Sequence, residues 1–98
     1  MLNETQVKAA VRKIIRRAKQ DRFTLITVAG SDTDKSQLER DLISDIMACD
    51  ETTVLFYNNL NNNFLGGMYF VFEYDSCPDE IVADFTDNAY THALLKDS

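Results

Sequence analysis

The stretch Phe23–Asn58, FTLITVAGSDTDKSQLERDLISDIMACDETTVLFYN, decides how the fold is read. Phe23 to Ala29 is short, rich in β-branched and apolar residues, and apolar on both faces, as expected of a strand inside a sheet. Gly30 to Asp34 is a polar turn. From Asp34 to Cys49, Leu38, Leu42, Ile43 and Ile46 recur at helical spacing, and Asp32 or Asp34 supplies an N-cap that also suits the positive end of the helix dipole. Thr52 to Asn58 is a second strand. A strand, a helix and a strand in this order predict a βαβ unit with parallel strands and a right-handed crossover.

The flanks extend that unit. On the N-terminal side, Val7, Val11, Ile14, Ile15 and Ala18 fall on one face of a helix that Asn3 can cap. On the C-terminal side, Met68 to Tyr74 reads as a third and strongly aromatic strand. The segment between them, NNLNNNFLGG, ends in Gly66 and Gly67 and reads as a long hairpin connection, because glycine and asparagine tolerate positive φ. Ser76 or Cys77 then caps a third helix with Pro78 in its first turn, carrying Ile81, Val82, Phe85, Ala89 and Ala93 at helical spacing. The expected fold is a two-layer α+β domain over residues 1–98 in the order α-β-α-β-β-α. Its three-stranded mixed sheet carries helices mainly on one face.

Size and composition agree. Ninety-eight residues make one core, and 45% hydrophobic content with four tyrosines and six phenylalanines is well above what disorder allows. No run approaches the ~20 apolar residues of a membrane span and no stretch resembles a signal peptide, so a soluble, cytoplasmic protein is expected. Cys49 and Cys77 are the two cysteines and His92 the one histidine. Together they cannot complete a four-ligand zinc site without carboxylates, and both thiols are expected reduced and partly buried.

The turn GSDTDKS invites comparison with a phosphate-binding loop, but the second glycine that lets the backbone wrap the phosphate is missing. Asp32 and Asp34 would also repel phosphate oxygens. Asp32 and Asp34 with Asp50 or Glu51 lack the spacing of a calcium loop. His92 has no nucleophile or orienting carboxylate placed beside it by sequence. No catalytic residue, cofactor or metal is therefore expected, and the chain is read as a non-enzyme.

Charge carries the remaining information. The net charge of −6 is split. Residues 1–22 hold Lys8, Arg12, Lys13, Arg16, Arg17, Lys19 and Arg22 against Glu4 and Asp21, a balance of +5. Residues 23–98 hold Lys35, Arg40 and Lys96 against the other carboxylates, a balance of −11. Such asymmetry points to an electrostatic partner within the fold or outside it. Glu39, Asp41 and Asp45 lie in the second predicted helix. Glu80, Asp84 and Asp87 share a flank of the third, a row of carboxylates able to imitate nucleic-acid phosphates. Tyr57, Tyr69 and Val71 would form an uncovered sheet face suited to self-association.

The expected function is that of a small acidic protein-interaction module that binds another protein through its acidic helices or its aromatic sheet face, with a homodimer as one form. Its most specific version is an inhibitor encoded by a phage or mobile element, a nucleic-acid mimic of the anti-restriction or anti-CRISPR kind. One alternative is a nucleic-acid-binding regulator using Lys8, Arg12, Arg16, Arg17 and Lys19, although the −11 remainder would repel a long polyanion. A second is a small enzyme or ligand-binding domain without a recognisable motif.

Overall fold

The computed structural model describes residues 4–29, 37–72 and 81–96. Three helices and four strands follow one another as α1 (Glu4–Lys19), β1 (Thr24–Val28), α2 (Glu39–Ile46), β2 (Glu51–Asn58), β3 (Phe64–Val71), β4 (Val82–Phe85) and α3 (Ala89–Leu95). The strands form one antiparallel sheet in the order β1-β2-β3-β4. The α+β class holds. The sheet has four strands where three were expected, and it is antiparallel throughout where a mixed one was expected.

The parallel β1–β2 pair is the first correction. Thr24 lies opposite Asn58 and Val28 opposite Val54, so the chain leaves β1 and enters β2 at the same end of the sheet. The helix between them is half its expected length. Gln37 and Leu38 are not helical, and an eight-residue helix spans only about 12 Å. Gln37 explains where α2 starts. Its Oε1 accepts from the Ile26 N–H at 3.0 Å and its Nε2 donates to the Ile26 carbonyl at 3.0 Å, while Oε1 also takes a bond from Lys19 Nζ at 2.9 Å. One side-chain amide thus does the work of a neighbouring strand along the outer edge of β1, a polar edge that would otherwise invite pairing with another chain. The expected caps Asp32 and Asp34 lie outside the described residues.

Replacing Gln37 with alanine is therefore expected to lower stability by about 1–3 kcal/mol, because two backbone groups lose their partner and the Lys19 ammonium keeps only the Thr24 carbonyl. Thermal melts followed by circular dichroism check it. An unchanged melting temperature would show that water replaces the amide at no cost.

The second correction concerns β3 and the chain beyond it. Phe64 to Gly67, expected in the loop, are the first half of β3, and the asparagine-rich turn is confined to Asn59–Asn63. There the asparagines act as expected. The side chain of Asn58 accepts from Leu60 N–H, that of Asn61 accepts from Asn63 N–H, and Asn62 takes a positive φ of 56°. Val82–Phe85, expected in the third helix, is β4. The outer edge of β3 had polar groups to satisfy: Val71 N–H donates to Ile81 O, Thr86 N–H to Gly67 O, and Gly67 N–H to Thr86 Oγ1. What remains of the helix is seven residues, and Asn88 caps it, not Ser76 or Cys77, which lie outside the described residues. Asn88 and Thr91 form a reciprocal capping box, and Asn88 Nδ2 donates to Leu65 O at 2.9 Å, fastening α3 to β3.

Alternate residues of β1, β2 and β3 face the helices. Ile26, Val28, Val54, Phe56, Met68 and Phe70 are buried there against Val7, Val11, Ile14, Ile15 and Ala18 of α1. The helices pack on this face, as expected.

Candidate functional site

The alternation that builds the core also builds the opposite face. Register places Leu25 beside Tyr57, Thr27 beside Leu55, Thr53 beside Tyr69, Leu55 beside Gly67 and Tyr57 beside Phe64. Residues opposite one another on antiparallel strands share a face, so these side chains lie together on the side away from the helices. Leu25, Leu55, Tyr57, Tyr69 and Val71 are each half-buried by their neighbours, and Phe64 stands 50% exposed. Tyr57 and Phe64 meet edge to face with centroids 5.6 Å apart. Gly67 lets this surface dip: a shallow depression of about 280 Å³ is walled by Leu55, Phe64, Tyr69, Asp84 and Phe85. Tyr57, Tyr69 and Val71, expected together on one sheet face, lie on the side away from the described helices. Sequence reasoning missed Leu25, Leu55 and Phe64. Leu55 follows from its alternation with Tyr57 within β2, and Leu25 from its pairing with Tyr57 once β1 is antiparallel; Phe64 was hidden by its placement in the loop.

The centre of this face is uncharged, and two carboxylates share the face in register, Glu51 opposite Val71 and Asp84 opposite Tyr69. At its border Glu51 accepts a hydrogen bond from the Tyr69 hydroxyl, which raises the tyrosine above its ordinary value, the hydrogen bond first and burial second. Asp84 lies opposite Tyr69, and its carboxylate accepts from Phe85 N–H. The burial of Tyr90 on the helix side likewise raises its phenol, offset in part by nearby Thr24.

The expected acidic row is not assembled on a helix. Asp84 is in β4, Asp87 is in the turn before α3, and Glu80 lies outside the described residues. Asp87 instead meets His92, whose ring stacks edge-on against Phe85 at 5.6 Å. On α2, Glu39 is drawn into the fold: Arg16 binds it through Nε at 2.6 Å and Arg12 approaches at 3.7 Å. Asp41 lies within 3.8 Å of Arg40, and Asp45 is half-buried on the same helix.

The basic helix is engaged in the same way. Besides Arg12 and Arg16, Lys8 pairs with Glu4, Arg17 donates to Leu94 O at 2.9 Å, and Lys19 donates to Thr24 O. Burial pushes the Lys19 ammonium below its ordinary value. Part of the charge split is thus a contact between the first two helices. Such exposed pairs are worth less than about 1 kcal/mol each and serve more to orient than to hold.

No group of three His, Cys, Asp or Glu among the described residues could hold an ion, Cys49 is exposed and not partly buried, and Cys77 lies outside them. No described helix is long and apolar enough to cross a membrane. No protein-family model, curated protein or solved structure matches the chain.

Proposed function

We propose that this chain is a non-enzymatic protein-interaction module that docks through the helix-free face of its sheet, and that the occupant is a second copy of the same chain. The observation that carries the reading is the apolar centre of that face. Leu25, Thr27, Thr53, Leu55, Tyr57, Phe64, Tyr69 and Val71 bear no charge, in a chain of net −6, and the face's described carboxylates, Glu51 opposite Val71 and Asp84 opposite Tyr69, stand toward its border. Two molecules of like charge meet most readily over such a centre, with Glu51 and Asp84 still repelling across the contact at low salt. A two-fold arrangement buries the same apolar patch from both sides and closes on itself.

Area limits the strength. With strands about 4.8 Å apart and about 3.4 Å per residue, the face measures roughly 400–500 Å² in projection. Stable interfaces bury about 800 Å² per partner, so a weak, dissociable dimer is expected. Added salt should tighten it, because screening removes the repulsion between two acidic copies while leaving apolar contact intact. This is opposite in sign to what a nucleic-acid mimic would show on a basic partner. The mimic reading also has less to stand on, with Asp84 and Asp87 on different elements and Glu39 bound to arginine.

Sedimentation velocity across concentration, at low salt and at 0.5 M salt on the order used for screening tests, checks this. Reversible dimers favoured by salt, and a monomeric Leu55→Lys variant, are expected. A wild type monomeric at millimolar concentration in high salt, or a Leu55→Lys variant that still dimerises, would refute the proposal.

A further inference from the structure

The helix-free face carries opposite charges at its two ends. At one end Glu51 opens β2 opposite Val71, and its carboxylate accepts from the Tyr69 hydroxyl, which holds it over the face. At the other end the β1–β2 pairing runs one residue beyond the strand. Asn59 N–H donates to the Phe23 carbonyl at 2.7 Å, so Phe23 keeps the parity of Leu25 and Thr27. The Arg22 guanidinium lies over the Phe23 ring, 4.7 Å from its centroid. Stacking occupies the flat of the guanidinium and leaves its in-plane N–H donors at the rim, the edge that forks a carboxylate. The adjacent Asp21 serves the helix side: burial first and then its charge raise the Tyr90 phenol there, and its Oδ1 accepts from Phe23 N–H. Arg22 and Glu51 are both exposed and stand seven residues of β2 apart, about 24 Å. The segments that follow Ala29 and Phe72 at the Glu51 end, residues 30–36 and 73–80, carry by sequence six carboxylates against Lys35, which keeps that end negative.

We infer that Arg22 of each copy pairs with Glu51 of the second copy, and that this pairing sets the two-fold axis across the strands; the inference rests on the sheet-face dimer proposed above. Two aligned ways of stacking the faces bury the same patch. With the axis along the strands, β2 of each copy lies over β3 of the other. The two Glu51 carboxylates then stand one strand apart in projection, about 4.8 Å, and Arg22 is far from both. With the axis across the strands at the middle of β2, each end lies over the opposite end of the second copy. Glu51 then falls over Asn58 of the second copy, one strand and one residue from its Phe23 and the Arg22 stacked there. An arginine and a glutamate together span the about 10 Å between stacked sheets. The two Glu51 are then about 24 Å apart, beyond the roughly 10 Å over which dissolved salt leaves charges coupled. The same register sets Val71 over Phe64 and Tyr57 of the second copy, apolar on apolar. Each copy keeps its net charge of −6, so added salt still tightens the dimer as a whole.

The test is charge exchange, read by sedimentation equilibrium at about 0.15 M salt. Arg22→Glu and Glu51→Arg should each weaken the dimer about tenfold or more, because a two-fold interface counts every substitution twice. Glu51→Arg is the decisive variant. It makes the chain less acidic, so repulsion between whole copies alone would tighten the dimer, and only loss of the pair weakens it. The double variant Arg22→Glu with Glu51→Arg keeps the wild-type net charge and should return to within about threefold of wild type. Circular dichroism checks that each variant is folded. Isotope-filtered spectra of a half-labelled dimer read the axis: Val71 methyls should contact the Phe64 ring of the second copy, a ring about 24 Å away within one copy. A Glu51→Arg variant that dimerises as tightly as wild type or more tightly, a double variant no better than the single ones, or Val71 contacts to Thr53 of the second copy would overturn the pairing and leave the sheet-face dimer standing. A wild type that stays monomeric in high salt removes both.

Discussion

Phe56→Ala is expected to destabilise the domain by about 3–5 kcal/mol. Phe56 is wholly buried, lies between Ile26 and Gly66 in the register, and meets the ring of Tyr90 edge to face at 5.8 Å. Its loss removes apolar burial and an aromatic pair, and leaves a cavity in the centre of the sheet that a close-packed interior cannot collapse to fill. Against a total of about 5–15 kcal/mol for a domain of this kind, that is a third or more of the stability. The melting temperature should fall by more than about 12 °C. The neighbouring Tyr57 is the control. It is half-exposed on the other face, so Tyr57→Ala should cost less than about 1.5 kcal/mol. Urea unfolding of both variants reads the difference. Equal losses would mean that the strand is not in the register described, since a one-residue slip exchanges the two faces.

Gly66→Val should cost about 3 kcal/mol, although valine is the better strand former. A Cβ at Gly66 would sit 2.7 Å from Thr91 Cγ2 and 3.6 Å from Asn88 Nδ2. Thr91 cannot give way. It is fully buried, its N–H donates to Asn88 Oδ1, and its hydroxyl donates to the Thr86 carbonyl. The added side chain must lift α3 from β3 and break the capping box. The adjacent glycine supplies the contrast. A Cβ at Gly67 would meet the mobile end of Leu55 at 2.9 Å, so Gly67→Ala should cost less than about 1 kcal/mol, helped by the reduced freedom of the unfolded chain. Comparable losses at the two positions would show that contact with α3 is not what requires glycine at 66.

The first helix was legible in the sequence to within a few residues, because its apolar stripe repeats over about three turns and nothing competes with it. The stripe of Leu42, Ile43 and Ile46 and the strands around Ile26 and Val54 were legible for the same reason. Topology was not. Whether β2 returns beside β1 parallel or antiparallel depends on where the helix between them starts, and that is decided by the Gln37 amide bound to Ile26, eleven residues away in the chain. Val82–Phe85 carried a helical spacing of apolar residues and became a strand because the edge of β3 could bind it, a tertiary demand that overrides a four-residue pattern.

The same limits apply to the candidate site. Tyr57, Tyr69 and Val71 could be found from the alternation within their own strands. Leu25 could not be added until β1 was known to be antiparallel to β2, nor Phe64 until the hairpin was known to begin at Asn59. The carboxylates misled because a helical flank at Glu80, Asp84 and Asp87 presupposed the helix. The basic helix, by contrast, shows why a charge split in sequence is weak evidence of a partner: Glu39, twenty-three residues on from Arg16, answers it within the fold.

The apolar centre of the outer sheet face is where this molecule is proposed to meet another. The most direct measurement is a dilution series of amide and methyl spectra in 0.5 M salt, on the order at which charge repulsion is screened, with residue assignments. Shifts that change with protein concentration should be confined to Leu25, Leu55, Tyr57, Phe64, Tyr69 and Val71 and their immediate neighbours, and the outer residues of α1 and α2 should stay still. Spectra independent of concentration, or shifts confined to the helix layer, would contradict that proposal.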